Sequence, residues 1–348
     1  MANRTMYTRV YSTRSDRQLV SGRGPNGDPL SRAALLGEFW NHANYWNREP
    51  TALVSCSDRI IDTLRRAFGM HYGDGEPSAD IWIAFIEVPP TTDGAATRIH
   101  LAKTLAKRCK LKEPNLFLHE VVFEWAIPRN YVVHEVSLKT LIGRGLQEHY
   151  FIQLVTLKVP RTCKVRRTRK VRSTLEARQH TAKQLHHHDP YKTGITLGLF
   201  ARKFGARAPL NWISHQLFYD CVWTKIVSDD VVRINFAHEK RAETVDFRFF
   251  RALDDGIKTS LCDWWLSDID FLDYENFKGC RDETEDAIAW ELIELWETWF
   301  EVDGDGTVIE PWLSAVDQFW YDREKNNLLA KHERMRAPIE AEAVRMSL

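Results

Sequence analysis

The stretch Phe117–Pro128, read as Phe-Leu-His-Glu-Val-Val-Phe-Glu-Trp-Ala-Ile-Pro, limits most strongly what this chain can fold into. A carboxylate, Glu120, opens a run of apolar and β-prone residues, and an Ile-Pro corner closes it. Two earlier pieces have a matching character: Met6–Tyr11 (Met-Tyr-Thr-Arg-Val-Tyr) and Leu53–Ser57 (Leu-Val-Ser-Cys-Ser). The sequence thus poses one structural question, whether Arg9, Ser55 and Glu120 meet.

Residues 6–11 alternate weakly and read as a short strand, followed by a Gly/Pro loop over 21–29. Ser31–Trp40 reads as an amphipathic helix with Leu35, Leu36 and Trp40 on one side. Thr51–Ser55 reads as a strand, after which Ser57 is placed to cap a helix through Ile60, Ile61, Leu64 and Phe68, with Asp58 in its first turn. Ile81–Val88, almost unbroken apolar, is the plainest strand in the chain and ends at Pro89-Pro90. A helix is expected around Thr97–Lys107. Strands follow over Val121–Ile127, Tyr131–Leu138 and Tyr150–Val159, the first two joined through Pro128-Arg129-Asn130. Strands and helices that do not alternate regularly give an α+β class rather than a doubly wound sheet.

Three divisions are expected: a domain over 1–160, a basic and polar linker over 161–190, and a mainly helical region over 191–348. Short helices are read at Ile195–Phe204, Ile213–Trp223 and Phe247–Leu253. The strongest helical pattern is Glu285–Phe300, apolar on one face and glutamate-rich on the other. Formal net charge is zero, so no whole-chain argument favours a polyanion, but the charge is unevenly placed. Seven of the twelve residues from Arg161 to Arg172 are Lys or Arg, whereas Asp263–Glu310 holds sixteen acidic residues against two basic ones. The six cysteines are scattered without a Cys-x-x-Cys pair, which argues against a zinc ribbon or a disulfide framework. No apolar run reaches membrane-spanning length and the N-terminus lacks a signal-peptide core, so a soluble cytoplasmic protein is expected, with the nucleus as the alternative.

Tyr7-Thr8-Arg9-Val10, then Val54-Ser55-Cys56-Ser57, then Glu120 eight residues ahead of Pro128 resembles the Arg/Ser-Thr-Ser/Glu pattern of ADP-ribosyltransferases, in the cholera and pertussis toxin branch. In detail residues 6–160 look more like an uncharacterised group of fungal domains on that fold. The resemblance implies a split β-sheet domain that uses NAD as substrate and no metal. Cleaving the nicotinamide–ribose bond builds an oxocarbenium ion, which a carboxylate beside the ribose stabilises. The resemblance gives that part to Glu120. It implies that Ser55 orients Glu120, that Arg9 holds the NAD phosphates or adenine ribose, and that Ser57 sits on the cofactor side. Two departures stand out. Leu118 occupies the place where arginine-modifying members carry a Glu or Gln that activates the acceptor, and Cys56 replaces the middle Thr. A fold with that change could modify another acceptor, hydrolyse NAD, or serve as an inactive domain that binds a nucleotide or protein.

Arg166, Arg167, Arg169, Lys170 and Arg172 form a basic cluster able to contact RNA or tRNA, or to dock on the acidic C-terminal region. An aminoacyl-tRNA-dependent, peptide-bond-forming enzyme similar to fungal arginine-containing cyclodipeptide synthases is the corresponding alternative. Its Asp-Asp-x-x-Glu signature is broken here, since Lys258 follows Asp254-Asp255 and Asp286 follows Asp282-Glu283. Glu301–Trp312 imitates an EF-hand loop but has Trp312 where a bidentate Glu belongs, so an acidic turn is expected. Consecutive His186-His187-His188 point different ways along an extended chain and read as a solvated tract.

Overall fold

The computed structural model describes residues 5–268 except 16–17, 45, 48, 90–97, 159–164, 206–207, 229–230 and 240, and beyond them 301–302, 308–310 and single positions or short runs between 318 and 345. The helix expected over Glu285–Phe300 lies outside the described residues. The chain divides into two compact units, residues 1–181 with 207–209, and residues 182–206 with 210–348. Among the described residues no helix is long and apolar enough to cross a membrane. The class is α+β, with antiparallel sheets throughout.

The first unit begins with β1 (Thr5–Ser12), α1 (Arg32–Ala43), β2 (Leu53–Ser57), α2 (Ile60–Tyr72) and β3 (Ile81–Val88). It continues with β4 (Ile99–Leu101), α3 (Ala102–Arg108), β5 (Glu120–Glu124), β6 (Val132–Ser137) and α4 (Leu138–Gly143). Six strands form one sheet in the order β4-β5-β2-β1-β3-β6. β3 keeps the expected bounds and pairs with β1 along its whole length, from Thr5↔Val88 to Ser12↔Ile81. β5 and β6 are joined by a short turn through Arg129–Tyr131 yet stand at positions two and six of the sheet. The chain leaves the β5 line at Trp125, whose φ of 65° is left-handed, and Ile127 N–H then bonds Leu19 O.

Alternation explains the core. Val54, Cys56, Val121 and Phe123 enter one cluster with Tyr11, Ala84, Ile86 and Ile127. Leu53 and Val122 point the other way, into a cluster with Leu35 and Phe39 of α1 and Ala102, Leu105 and Ala106 of α3. α1 is capped by Ser31, whose Oγ accepts from Ala34 N–H at 3.3 Å. Its inner face is Leu35, Glu38 and Phe39, while Trp40 is exposed, because Leu35 and Phe39 are one turn apart and Trp40 falls off that line. Ser57 does not cap α2. Arg59 is the cap residue, Ser57 Oγ closes a turn on Arg59 N–H at 3.0 Å, and the acid in the first turn is Asp62 rather than Asp58. The helix expected at 97–107 is shorter because Ile99–Leu101 pairs with β5 instead.

The segment read as a linker is not one. β7 (Ile152–Lys158) pairs antiparallel with β8 (Val165–Val171) over seven positions, and α5 (Thr174–Leu185) follows. Ser173 and Glu176 form a reciprocal capping box at the start of α5: Glu176 Oε2 accepts from Ser173 N–H at 2.8 Å, and Ser173 Oγ from Glu176 N–H at 3.3 Å. The division between units accordingly falls after residue 181, not at 160.

The second unit contains α6 (Pro190–Arg202), α7 (Leu210–Cys221), β9 (Val222–Ser228), β10 (Val231–Phe236), β11 (Glu243–Asp246) and α8 (Phe247–Asp268). Helix therefore shares it with a three-stranded sheet in the order β11-β10-β9. Val232, Ile234 and Phe236 alternate in β10, a strand pattern inside the region expected to be mainly helical. β12 (Glu301–Val302) and β13 (Val308–Glu310) pair with Glu301 opposite Glu310, while the acidic residues between them, where an acidic turn is expected, lie outside the described residues.

Helices α6 and α8 cross with backbones in contact. A Cβ on Gly194 would overlap the Leu253 carbonyl, one on Gly256 the Tyr191 carbonyl, and one on Gly198 the Ser260 hydroxyl. Alanine is the better helix former by about 1 kcal/mol, so a crossing of no consequence would make Gly→Ala stabilising. Overpacking wins here: Gly194→Ala and Gly256→Ala are each expected to lose about 1–3 kcal/mol in urea unfolding.

Candidate functional site

The β2–β5 register decides which side chains can meet. Ser57 lies opposite Glu120, Ser55 opposite Val122 and Leu53 opposite Glu124. The alternation that buries Leu53 and Val122 therefore puts Ser55, Ser57 and Glu120 on the same face. Ser55 and Glu120 are diagonal neighbours across the two strands, a distance a long side chain spans. The Ser55 hydroxyl is near enough to the Glu120 carboxylate to favour its charged form.

His42, in the last turn of α1, completes the group and was missed in the sequence. Its Nε2 lies 2.5 Å from Ser55 Oγ and 3.7 Å from Glu120 Oε1, and its Nδ1 lies 3.0 Å from Thr51 Oγ1. Burial disfavours the charge on Glu120, but the polar side chains of His42 and Ser55 beside it, with the Arg66 field, outweigh it and hold the carboxyl below its ordinary value. The side chains of His42 and Glu120 stay 21% and 29% exposed, so a ligand can reach them. This is not a serine-nucleophile triad, because hydroxyl and carboxylate share one imidazole nitrogen and the other faces Thr51.

Arg9 joins the group through the main chain. β1 meets β2 only at Thr8↔Ser57, and past that point Arg9 Nη1 donates to Ser55 O at 2.6 Å while Nε donates to Gln18 O at 2.8 Å. Arg9 makes no ion pair with Glu120 among the described residues, although their charges act on each other. Burial lowers the Arg9 pKa, the Cys56 and Glu120 fields oppose that shift, and Arg66 adds to it. The exposed Arg66 on α2, a second cation of this site, was also missed in the sequence. Ser57 is engaged with the turn at Arg59, and its carbonyl accepts from Thr8 Oγ1 at 3.2 Å. Cys56 points away into the core, where burial pushes its thiol up to about 12. Leu118 is half exposed and offers no proton acceptor. His119 turns to Asp58, Nδ1 to Oδ1 at 2.9 Å.

The basic cluster is partly committed elsewhere. Arg169 lies over the Tyr72 ring and donates to its hydroxyl at 2.7 Å, and Arg172 Nε donates to His149 O at 3.3 Å. Asp254 pairs with Lys258 at 3.2 Å and His215 at 3.4 Å on the second unit's helices. No protein-family model, curated protein or solved structure matches the chain.

The depressed Glu120 pKa has a definite sign. Its stabilising contribution is complete above the ordinary value of 4.5 and is lost as pH falls through the lower folded value. His42→Ala and Ser55→Ala are each expected to raise the Glu120 pKa in a carboxyl-carbon NMR titration. An unchanged value in both would mean the network does not hold the charge.

Proposed function

We propose that the first unit cleaves the nicotinamide–ribose bond of NAD, passing ADP-ribose to an acceptor or to water. The observation that carries this reading is the Glu120 carboxylate, held below its ordinary pKa beside Ser55 and His42, at a partly open position in the fields of Arg9 and Arg66. A fixed negative charge of this kind stabilises an oxocarbenium ion at the ribose, and it costs no reorganisation when the bond breaks. In this reading Ser55 and His42 keep the carboxylate ionised and aimed, and Arg66 supplies charge for the diphosphate. Arg9 chiefly fixes the Ser55 backbone, with less left over for the ligand than the family resemblance implies. With Leu118 in place of a proton acceptor, water or an acceptor bringing its own nucleophile fits better than arginine. A cytoplasmic or nuclear setting, where NAD is at hand, goes with this reading.

One observation favours a second reading, a binding domain without turnover: two Arg9 donors are already taken by the Gln18 and Ser55 carbonyls. Incubation of the full chain with nicotinamide-labelled NAD separates the two. Turnover predicts nicotinamide release that falls about 100-fold or more in Glu120→Gln. Saturable NAD binding without release would support the second reading, and neither binding nor release would sink both.

A further inference from the structure

Of the histidine tract His188 is exposed, as expected, but His186 is not solvated. His186 has a side chain only 7% exposed, and its ring stacks on Phe236 with centroids 3.8 Å apart. It lies just past α5, held by His186 N–H to Ala182 O at 2.9 Å, and the turn beyond is fixed by Thr193 Oγ1 bonding both His187 N–H and His187 O. On the other side, the chain leaving β10 presents His238 and Glu239, with Glu239 N–H bonded to Phe236 O at 3.0 Å. His186 Nδ1 comes within 3.4 Å of Glu239 Oε1 and His238 Nε2 within 3.6 Å of the same oxygen. One ligand atom from each of the three residues lies within 4.8 Å of the other two.

These spacings are too long for good hydrogen bonds and fit another arrangement. Ligands about 2.0–2.1 Å from a tetrahedral zinc ion stand about 3.3–3.4 Å from one another. The carboxylate oxygen stands at nearly that spacing from an imidazole nitrogen on either side, on backbone turns already closed by hydrogen bonds, and the three groups surround a point where one cation would meet all of them. The His188 ring, 5.7 Å from that of His186, and solvent are at hand for a fourth position.

We propose that His186, His238 and Glu239 bind a divalent transition-metal ion of the zinc class, tying the turn before α6 to the end of β10. Imidazole nitrogen with one carboxylate suits zinc or cobalt over calcium or magnesium, which take oxygen ligands. The site lies wholly in the second unit and is independent of the NAD reading.

The test uses the full chain, stripped with a chelator and titrated with Zn²⁺ by calorimetry and with Co²⁺ by visible absorption. One equivalent per chain, a tetrahedral Co²⁺ spectrum and a rise in Tm with Zn²⁺ are expected. His238→Gln and Glu239→Gln, both partly exposed positions that the fold tolerates better than a change at His186, are expected to lose the spectrum and the Tm rise while Ca²⁺ has no effect on any form. Absence of stoichiometric uptake would overturn the proposal, as would uptake that both variants retain.

Discussion

The first unit depends on how one strand pair comes apart. β1 and β2 share a single register position, Thr8↔Ser57, whereas β1 and β3 pair over eight residues. A strand that loses its neighbour leaves carbonyls without partners, which is costly inside a fold. Arg9 removes that cost at Ser55, and Thr8 Oγ1 binds Ser57 O and, at 2.7 Å, Thr63 Oγ1 at the start of α2. The parting of the strands is thus stabilised by side chains, one of which holds the carbonyl of Ser55, the diagonal cross-strand neighbour of Glu120.

Around that parting, burial and the neighbouring polar and charged groups compete for Glu120, and the neighbours win. A comparison within the same strand shows why the position matters. Glu124, two alternations along the same face, is buried and fully occupied, with Oε2 accepting from Leu30 N–H at 2.9 Å and Oε1 2.8 Å from His100 Nε2. Glu120 has a similar imidazole neighbour but sits at the strand's open end, where part of it still meets solvent. One carboxylate is a fastening and the other is available to a ligand, by placement rather than by residue type. The second unit is fastened differently, by glycines that let α6 and α8 touch and by rings that gather His186 against Phe236 and His238.

Much of the fold was legible. Ile81–Val88 kept its bounds, the strands at 6–11 and 121–127 held within a few residues, and alternation alone placed Val54, Cys56, Val121 and Phe123 in the core. The candidate site was partly legible, since Ser55 and Glu120 do meet and Arg9 reaches the Ser55 main chain. A few local signals were there to be read and were passed over: the Ser173-x-x-Glu176 box that starts α5, and the alternation of Val232, Ile234 and Phe236 in β10.

The sequence by itself determined the elements, because strand alternation, caps and Pro/Gly breaks act between residues a few positions apart. It could not place His42 beside Glu120, Arg66 near both charges, or His186 against His238 and Glu239, since those meetings cross dozens of residues of chain. They depend on strand order and register: β5 beside β2 rather than beside β6, and the end of β10 returning to the turn after α5. Local chemistry chooses the strand or helix. Only the closing of the sheet and the packing of the helices decides which charges face one another.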